Sequence, residues 1–267
     1  MFKLICEEHL PVTMAFLKKD PDLNLFFIGD IEQFGLQNDF MQVWLDDLKT
    51  PHSALLRYRK NLLLYSDDLS FSPKEILGYI QRYDVDCFSC GEKVFEKMQS
   101  VFDPACLIKD CDMAKMTKIQ AFQDSPLVRL ATPEDARAIV ESLCSIREFA
   151  DYRLIDPDAE TPIYQKRLQN RENFHFIIKE NNRVVANANT SAMSSVSAMI
   201  GGVFTLPECR NKGYATAVVG RLCSFLLEHK ITPILFFENP KAASIYHRLG
   251  FKDFGKWFMY FPKSKKA

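Results

Sequence analysis

The apolar positions of this chain come in two rhythms, and their order predicts a mixed α+β protein. In the second half, Leu127-Val128-Arg129-Leu130 reads as a short strand. Thr132-Pro133-Glu134-Asp135 then supplies a cap and a first-turn proline for a helix continuing through Ala136 to Leu143. Phe174 to Lys179 and Arg183 to Thr190 form a hairpin about Asn181-Asn182, a pair that tolerates positive φ. Ser197 to Thr205 is small, apolar and β-branched at its end, as a buried strand requires, and Pro207-Glu208 stops it. After Gly213, the residues Ala215, Val218, Val219, Leu222, Leu226 and His229 fall on one helical face. Ile231 to Glu238 is a second buried strand. Asn239 caps, and Pro240 starts, a short helix closed by Gly250. Residues Ser145 to Asn170 are charged with weak period and predict no element.

The first half follows a similar order. Leu10 to Gln37 reads as mainly helical, with breaks near Pro21 and at Gly29. Phe40 to Leu45, His52 to Tyr58 and Asn61 to Tyr65 read as three strands, the last two joined by a turn at Arg59-Lys60-Asn61. Pro73 to Tyr83 is a helix, Val85 to Ser89 a strand, Glu92 to Phe102 a helix, and Cys111 to Ile119 a further strand. A polar stretch with a proline, Phe122 to Pro126, separates the halves. The expected domains are residues 1–124 and 125–267. A chain of 267 residues is long for one domain and comfortable for two.

Composition narrows the partners. Lys plus Arg equals Asp plus Glu, 34 each, so no net charge argues for nucleic acid or a membrane surface. No apolar run approaches the ~20 residues of a membrane span, and the N-terminus is too short in apolar length for a signal peptide. The expectation is a cytoplasmic protein, monomer or homodimer, with reduced thiols despite its 8 cysteines. Cys87-Phe88-Ser89-Cys90 is a lone C-x-x-C, read as small apolar groups, with Cys87 buried in a strand and Cys90 near its end. Trp44 and Trp257 read as packing residues. His9, His52, His229 and His247 show no metal spacing, and no metal is expected.

The chemistry concentrates between the strand ending at Thr205 and the helix after Gly213. Arg210-Asn211-Lys212-Gly213-Tyr214-Ala215 is a basic loop at a helix start. The first N–H groups of a helix have no internal partner, and the macrodipole makes that end positive, so a phosphate fits there. Gly213 permits close approach, and Arg210 and Lys212 add charge. The spacing matches neither a P-loop nor G-x-G-x-x-G, and the same pattern also serves as an ordinary turn.

The loop gains meaning with Asn239, Ala242, Tyr246, Gly250 and Phe251, which follow at a fixed distance. Together the two motifs resemble the GCN5-related N-acetyltransferases (GNAT), over roughly Val128 to Phe261. Arg210 to Ala215 stands for that family's Arg/Gln-x-x-Gly-x-Gly/Ala, and Tyr246, Gly250 and Phe251 for its Tyr-x-x-x-Gly-Phe. The resemblance implies tandem GNAT-like folds, each a mostly antiparallel mixed sheet flanked by helices. Residues 1–124 would be a degenerate half without the cofactor motif, and 125–267 the acetyltransferase domain.

The resemblance further implies acetyl-CoA as co-substrate, its pantetheine arm paired with Val203, Phe204 and Thr205. Its pyrophosphate would lie on the N–H groups of Asn211, Lys212, Gly213, Tyr214, Ala215 and Thr216 beside Arg210, with Asn239 and Ala242 along the arm. Tyr246 would be the general acid, the competing reading being a ring packed on the sheet. The implied reaction is acetyl transfer to a primary amine of a small-molecule or amino-acid-like acceptor, covered by Ser145 to Asn170. The first strand of the pair lacks the carboxylate that many relatives use as base. His175 and Glu238 are the candidates, beside a water chain or an amine arriving neutral. Two alternatives stand: an acyltransferase using another acyl-CoA or a peptide amine, and a non-catalytic acyl-CoA-binding regulator.

Overall fold

A computed structural model of the chain describes residues 1–120, 122–146 and 156–263. The middle of the stretch expected to cover the acceptor, residues 147–155, and the basic tail after Lys263 lie outside the described residues. The chain divides into two compact units. Unit 1 holds Met1–Met113, Phe236–Glu238 and Asp253–Ala267, and unit 2 holds Ala114–Leu235 and Asn239–Lys252. Both are mixed α+β.

Unit 1 begins with β1 (Lys3–Leu4), α1 (Leu10–Leu17) and α2 (Leu25–Phe34). The antiparallel strands β2 (Met41–Leu45), β3 (Ser53–Tyr58) and β4 (Asn61–Ser66) follow. Next come α3 (Pro73–Arg82), β5 (Cys87–Gly91), α4 (Glu92–Met98) and β6 (Leu107–Lys115). β5 is parallel to β4. The C-terminal strand β12 (Lys252–Phe261) returns here and pairs antiparallel with β5, giving the order β1-β2-β3-β4-β5-β12-β6. Ser72 caps α3 and Pro73 opens it, while Ile76 and Ile80 bury one face. They join Leu55, Leu62, Phe88 and Phe95 in the core, and Tyr260 of β12 stacks on Phe102 with ring centroids 4.0 Å apart.

Unit 2 starts with β7 (Arg129–Leu130) and α5 (Ala136–Cys144). Thr132 and Asp135 form a reciprocal capping box ahead of α5. Asp135 also accepts two bonds from Arg129, at 2.7 and 2.8 Å, and one from Lys179 at 3.1 Å. Those bonds hold its carboxyl well below the usual carboxylate range, the Arg129 pair acting most strongly. Helix α6 (Pro157–Gln169) precedes the antiparallel strands β8 (His175–Glu180), β9 (Arg183–Met193) and β10 (Ser197–Thr205). Helix α7 (Tyr214–Glu228), β11 (Thr232–Phe237) and α8 (Pro240–Leu249) complete the unit, with strand order β11-β10-β9-β8-β7. Val218, Val219, Leu222 and Leu226 of α7 are buried with Phe176, Ile178, Ala186, Ala198 and Ile200 of the sheet. Each large aliphatic buried this way contributes about 1.5–3 kcal/mol.

Several local expectations need correction. The helix over Leu25–Phe34 continues through Gly29, which is buried along with Leu25, Phe27, Ile28 and Ile31. Burial of those neighbours outweighs the ~1 kcal/mol that a helical glycine costs. Of the C-x-x-C pair, Cys90 is the fully buried member and Cys87 is half-buried. The strand expected over Cys111–Ile119 is instead Leu107–Lys115. His229 leaves the apolar stripe of α7: it is the exposed C-cap, its Nδ1 2.7 Å from the Phe225 carbonyl. The charged stretch Ser145 to Asn170 contains a helix after all. Asp156 caps α6 and Pro157 starts it, but it buries only Glu160 and Leu168, so no apolar period marks it.

Candidate functional site

Strands β10 and β11 pair in parallel from Ser197↔Thr232 to Ile200↔Leu235. Beyond that point β10 stays with its antiparallel partner β9, with Phe204 opposite Asn187 and Thr205 opposite Ala186. The parallel ladder with β11 therefore stops at Ile200, and β10 runs on from Gly201 to Thr205 beyond it. Unpaired strand backbone is a template for an extended ligand.

A bulge sets this opening. Gly201 to Phe204 spans one residue more than the Asn189 to Asn187 segment facing it. Gly202 sits there at φ +54°, and a Cβ on it would come within 2.0 Å of Asn189 Oδ1. The bulge is tied from behind by Asn187, which is fully buried. Its Nδ2 donates to the Gly202 carbonyl at 2.7 Å and to Asn189 Oδ1 at 3.1 Å, and its Oδ1 lies 2.9 Å from His175 Nδ1. Because the amide nitrogen must face a carbonyl, the oxygen faces the ring, so His175 Nδ1 carries the proton.

At the far end of β10 the chain turns through a short 3₁₀ segment, Pro207–Cys209, into the basic loop. Arg210 Nε donates to the Thr205 carbonyl at 3.2 Å. Asn211, Lys212 and Gly213 are exposed, with Asn211 at φ +65° and Gly213 at φ +79°. No atom lies within 4 Å of where a Gly213 Cβ would stand. Gly213 is the N-cap of α7, so the N–H groups of Tyr214, Ala215 and Thr216 begin the helix without intrahelical partners. Tyr214 donates to Glu180 Oε1 at 2.7 Å, and Lys212 lies 5.6 Å from the Tyr214 ring centroid. The Thr205 hydroxyl oxygen is buried without a hydrogen-bond partner among the described residues, a costly state for a polar group.

Past β11, Asn239 is exposed, and its carbonyl accepts from Ala243 N at 3.1 Å in the first turn of α8. Ala242 is half-buried in that turn. Tyr246 is only 7% exposed, and its ring meets Phe251 edge-on at 6.0 Å. Burial, and then the neighbouring Cys223, push its hydroxyl up to about 12, so it remains a protonated donor at neutral pH.

The two candidate bases fare differently from Tyr246. His175 is buried, and desolvation pushes it down to about 4. It is neutral at pH 7 and already committed to Asn187. Glu238 is exposed and falls in unit 1. Sequence reasoning overlooked Asn187 and Asn189. Their signal was two polar side chains, i and i+2, on one face of the run Val184 to Asn189, whose other residues are Val and Ala.

Residues 140–251, less than half of the chain, match the model of the acetyltransferase (GNAT) family. Solved structures similar along the whole chain have the same fold. A GCN5-related N-acetyltransferase-like protein from Streptococcus suis is 15% identical, with TM-score 0.58, over 95% of this chain and 98% of that one. A GNAT-family acetyltransferase from Colwellia psychrerythraea is 14% identical, with TM-score 0.60, over 98% and 100%. A tandem GNAT protein from the clavulanic acid biosynthesis pathway is 10% identical, with TM-score 0.63, over 100% and 99%. This last likeness extends the fold to both halves. No curated protein matches the chain in sequence.

Proposed function

We propose that unit 2 transfers an acetyl group from acetyl-CoA to the primary amine of a small-molecule or amino-acid-like acceptor, by direct attack of the amine. The observation that carries this reading is the end of the β10–β11 ladder at Ile200, after which β10 continues to Thr205 and the chain turns into the exposed N-terminus of α7. Three features of the chain fit a nucleotide thioester there. The β10 backbone at Val203, Phe204 and Thr205 offers strand pairing to an amide-bearing arm. The buried Thr205 hydroxyl lacks a partner among the described residues. The space around Gly213 lets a pyrophosphate reach the N–H groups from Asn211 to Thr216, with Arg210 and Lys212 supplying charge. Asn239 and Ala242 would flank the arm at the start of α8.

Acetyl-CoA supplies the electrophile, an acetyl thioester. The chain's residues do the rest. Holding the amine against the acyl carbon turns a bimolecular encounter into a local one. A new N–C bond forms and the C–S bond breaks, so the departing sulfur needs a hydrogen-bond donor and the nitrogen must lose a proton. Tyr246 is assigned the first task. Its hydroxyl, pushed up to about 12, is a weaker acid than a thiol of pKa ~8.5. Complete transfer to sulfur before the amine releases its proton would be uphill by roughly 5 kcal/mol, at ~1.4 kcal/mol per unit. Tyr246 therefore acts as a donor that stabilises the developing thiolate and passes its proton only as the amine's proton leaves. His175 is too weakly basic and too committed for the second task, which falls to solvent or to an acceptor arriving neutral.

Thiol release from acetyl-CoA, measured across a panel of small primary amines, tests this reading. The expected result is release that depends on the amine, with the N-acetylated product seen by mass spectrometry. Binding without release for every amine would replace it with an acyl-CoA-binding regulator. A preference for a longer acyl chain would replace the donor.

A further inference from the structure

Unit 1 has an opening of its own between parallel strands. β4 and β5 pair from Asn61↔Cys87 to Leu64↔Cys90, while β4 runs on to Ser66. A pocket of about 330 Å³ lies at this end, walled by the Leu64–Asp67 stretch and by Gly91 to Val94. Leu23, Phe27 and Trp257 are among its apolar lining residues. That volume is at the small end of the range for organic ligands.

The charge on the walls selects the ligand. The segment after β4 reads Asp67-Asp68-Leu69-Ser70, acidic where unit 2 has Arg210 and Lys212. Asp67 is already committed, with Lys19 Nζ at 2.9 Å and His52 Nδ1 at 3.0 Å. Lys256 is committed to Asp110 at 2.8 Å. The remaining charged groups on the lining are Asp20, Glu92 and Lys93, with Glu92 near enough to Lys256 to raise it, and the three leave one net negative charge. A phosphate would meet carboxylates here. An ammonium would be attracted by them.

We propose that the pocket at the open end of β4 and β5 binds a small organic cation, a primary amine on an apolar body. Asp20 and Glu92 draw the ammonium, and Leu23, Phe27 and Trp257 receive the body. The site stands independently of acetyl transfer by unit 2.

Isothermal titration of the full chain with phenethylamine, and separately with 3-phenylpropionate, tests the site. Saturable one-site binding of phenethylamine is expected, with no binding of the anion of similar shape. Asp20→Asn with Glu92→Gln should weaken phenethylamine about tenfold, since both changes are at exposed or half-exposed positions and leave the fold intact. Leu23→Trp fills the pocket without touching a charge and should abolish binding, with folding checked by thermal melting. Absence of phenethylamine binding, equal or tighter binding of 3-phenylpropionate, an unchanged constant in the double variant, or unchanged binding in Leu23→Trp would each overturn the proposal.

Discussion

Replacing Asn187 by Leu probes the element that shapes the candidate site. The change nearly conserves volume and removes three hydrogen bonds, to His175, Asn189 and the Gly202 carbonyl. The buried His175 Nδ1–H is then stranded away from water, at roughly 1–3 kcal/mol, and the half-buried Gly202 carbonyl loses its donor, at roughly 1 kcal/mol. The leucine recovers about 1–2 kcal/mol by apolar burial. A net loss of about 2 kcal/mol follows, against a total stability of ~5–15 kcal/mol for a typical domain. Urea unfolding at pH 7.5 reads it directly. The pH dependence provides a second reading. His175 binds a proton near pH ~6.5 when unfolded but only near about 4 when folded. Between those values the unfolded state holds more protons, so stability rises with pH from about 4 to 6.5. Asn187 favours the protonated ring, so its loss moves the lower end of that window further down. An Asn187→Leu variant within ~0.5 kcal/mol of the parent, or a stability that falls with pH across this window, would refute the buried network.

The other expectations concern the cofactor loop, the phenol and the fold's anchor. Tyr246→Phe should lower kcat by about 10²–10⁴-fold, the usual range for a lost proton donor, with little change in acetyl-CoA affinity by calorimetry; equal loss of both would make the ring structural. Gly213→Val forces a β-branched residue into φ +79° and places methyl groups where the phosphate would rest. Affinity for acetyl-CoA should drop by about tenfold or more, as ~1.4 kcal/mol of strain or lost contact suffices, and unchanged affinity would show that the phosphate lies elsewhere. Asp135→Asn leaves Arg129 and Lys179 without their carboxylate, and should cost about 1–3 kcal/mol at pH 7 by urea unfolding. Because the folded carboxyl is depressed, its contribution is complete above the unfolded value of ~3.9 and is lost as pH falls through the folded one. The variant's deficit should therefore shrink progressively as pH falls below ~3.9, and equal stability at pH 7 would discard the anchor.

Much of the site was legible because its features are local. A proline stop, a glycine, a basic run and a helical stripe place the α7 N-terminus with no knowledge of tertiary structure. The same holds for Asn239, Tyr246 and Gly250 along one short helix. The misses are non-local or lack period. The bulge at Gly202 depends on an asparagine fifteen residues earlier, and a lone polar residue in a strand looks the same whether it is buried or solvated. Strand β12 pairs with β5, more than 150 residues before it, a partner that no nearby pattern announces. Helix α6 buries too little to impose an apolar rhythm and was betrayed only by Asp156-Pro157, a capping signal inside a charged stretch.

In this reading the end of β10 and the start of α7 bind the thioester nucleotide. Calorimetric titration of the full chain with acetyl-CoA and with CoA tests it most directly. The account predicts one site for each, of comparable affinity because the pyrophosphate and arm contacts are shared, and weakened for both in Gly213→Val. Absence of binding by either molecule, or binding that Gly213→Val leaves untouched, would contradict it.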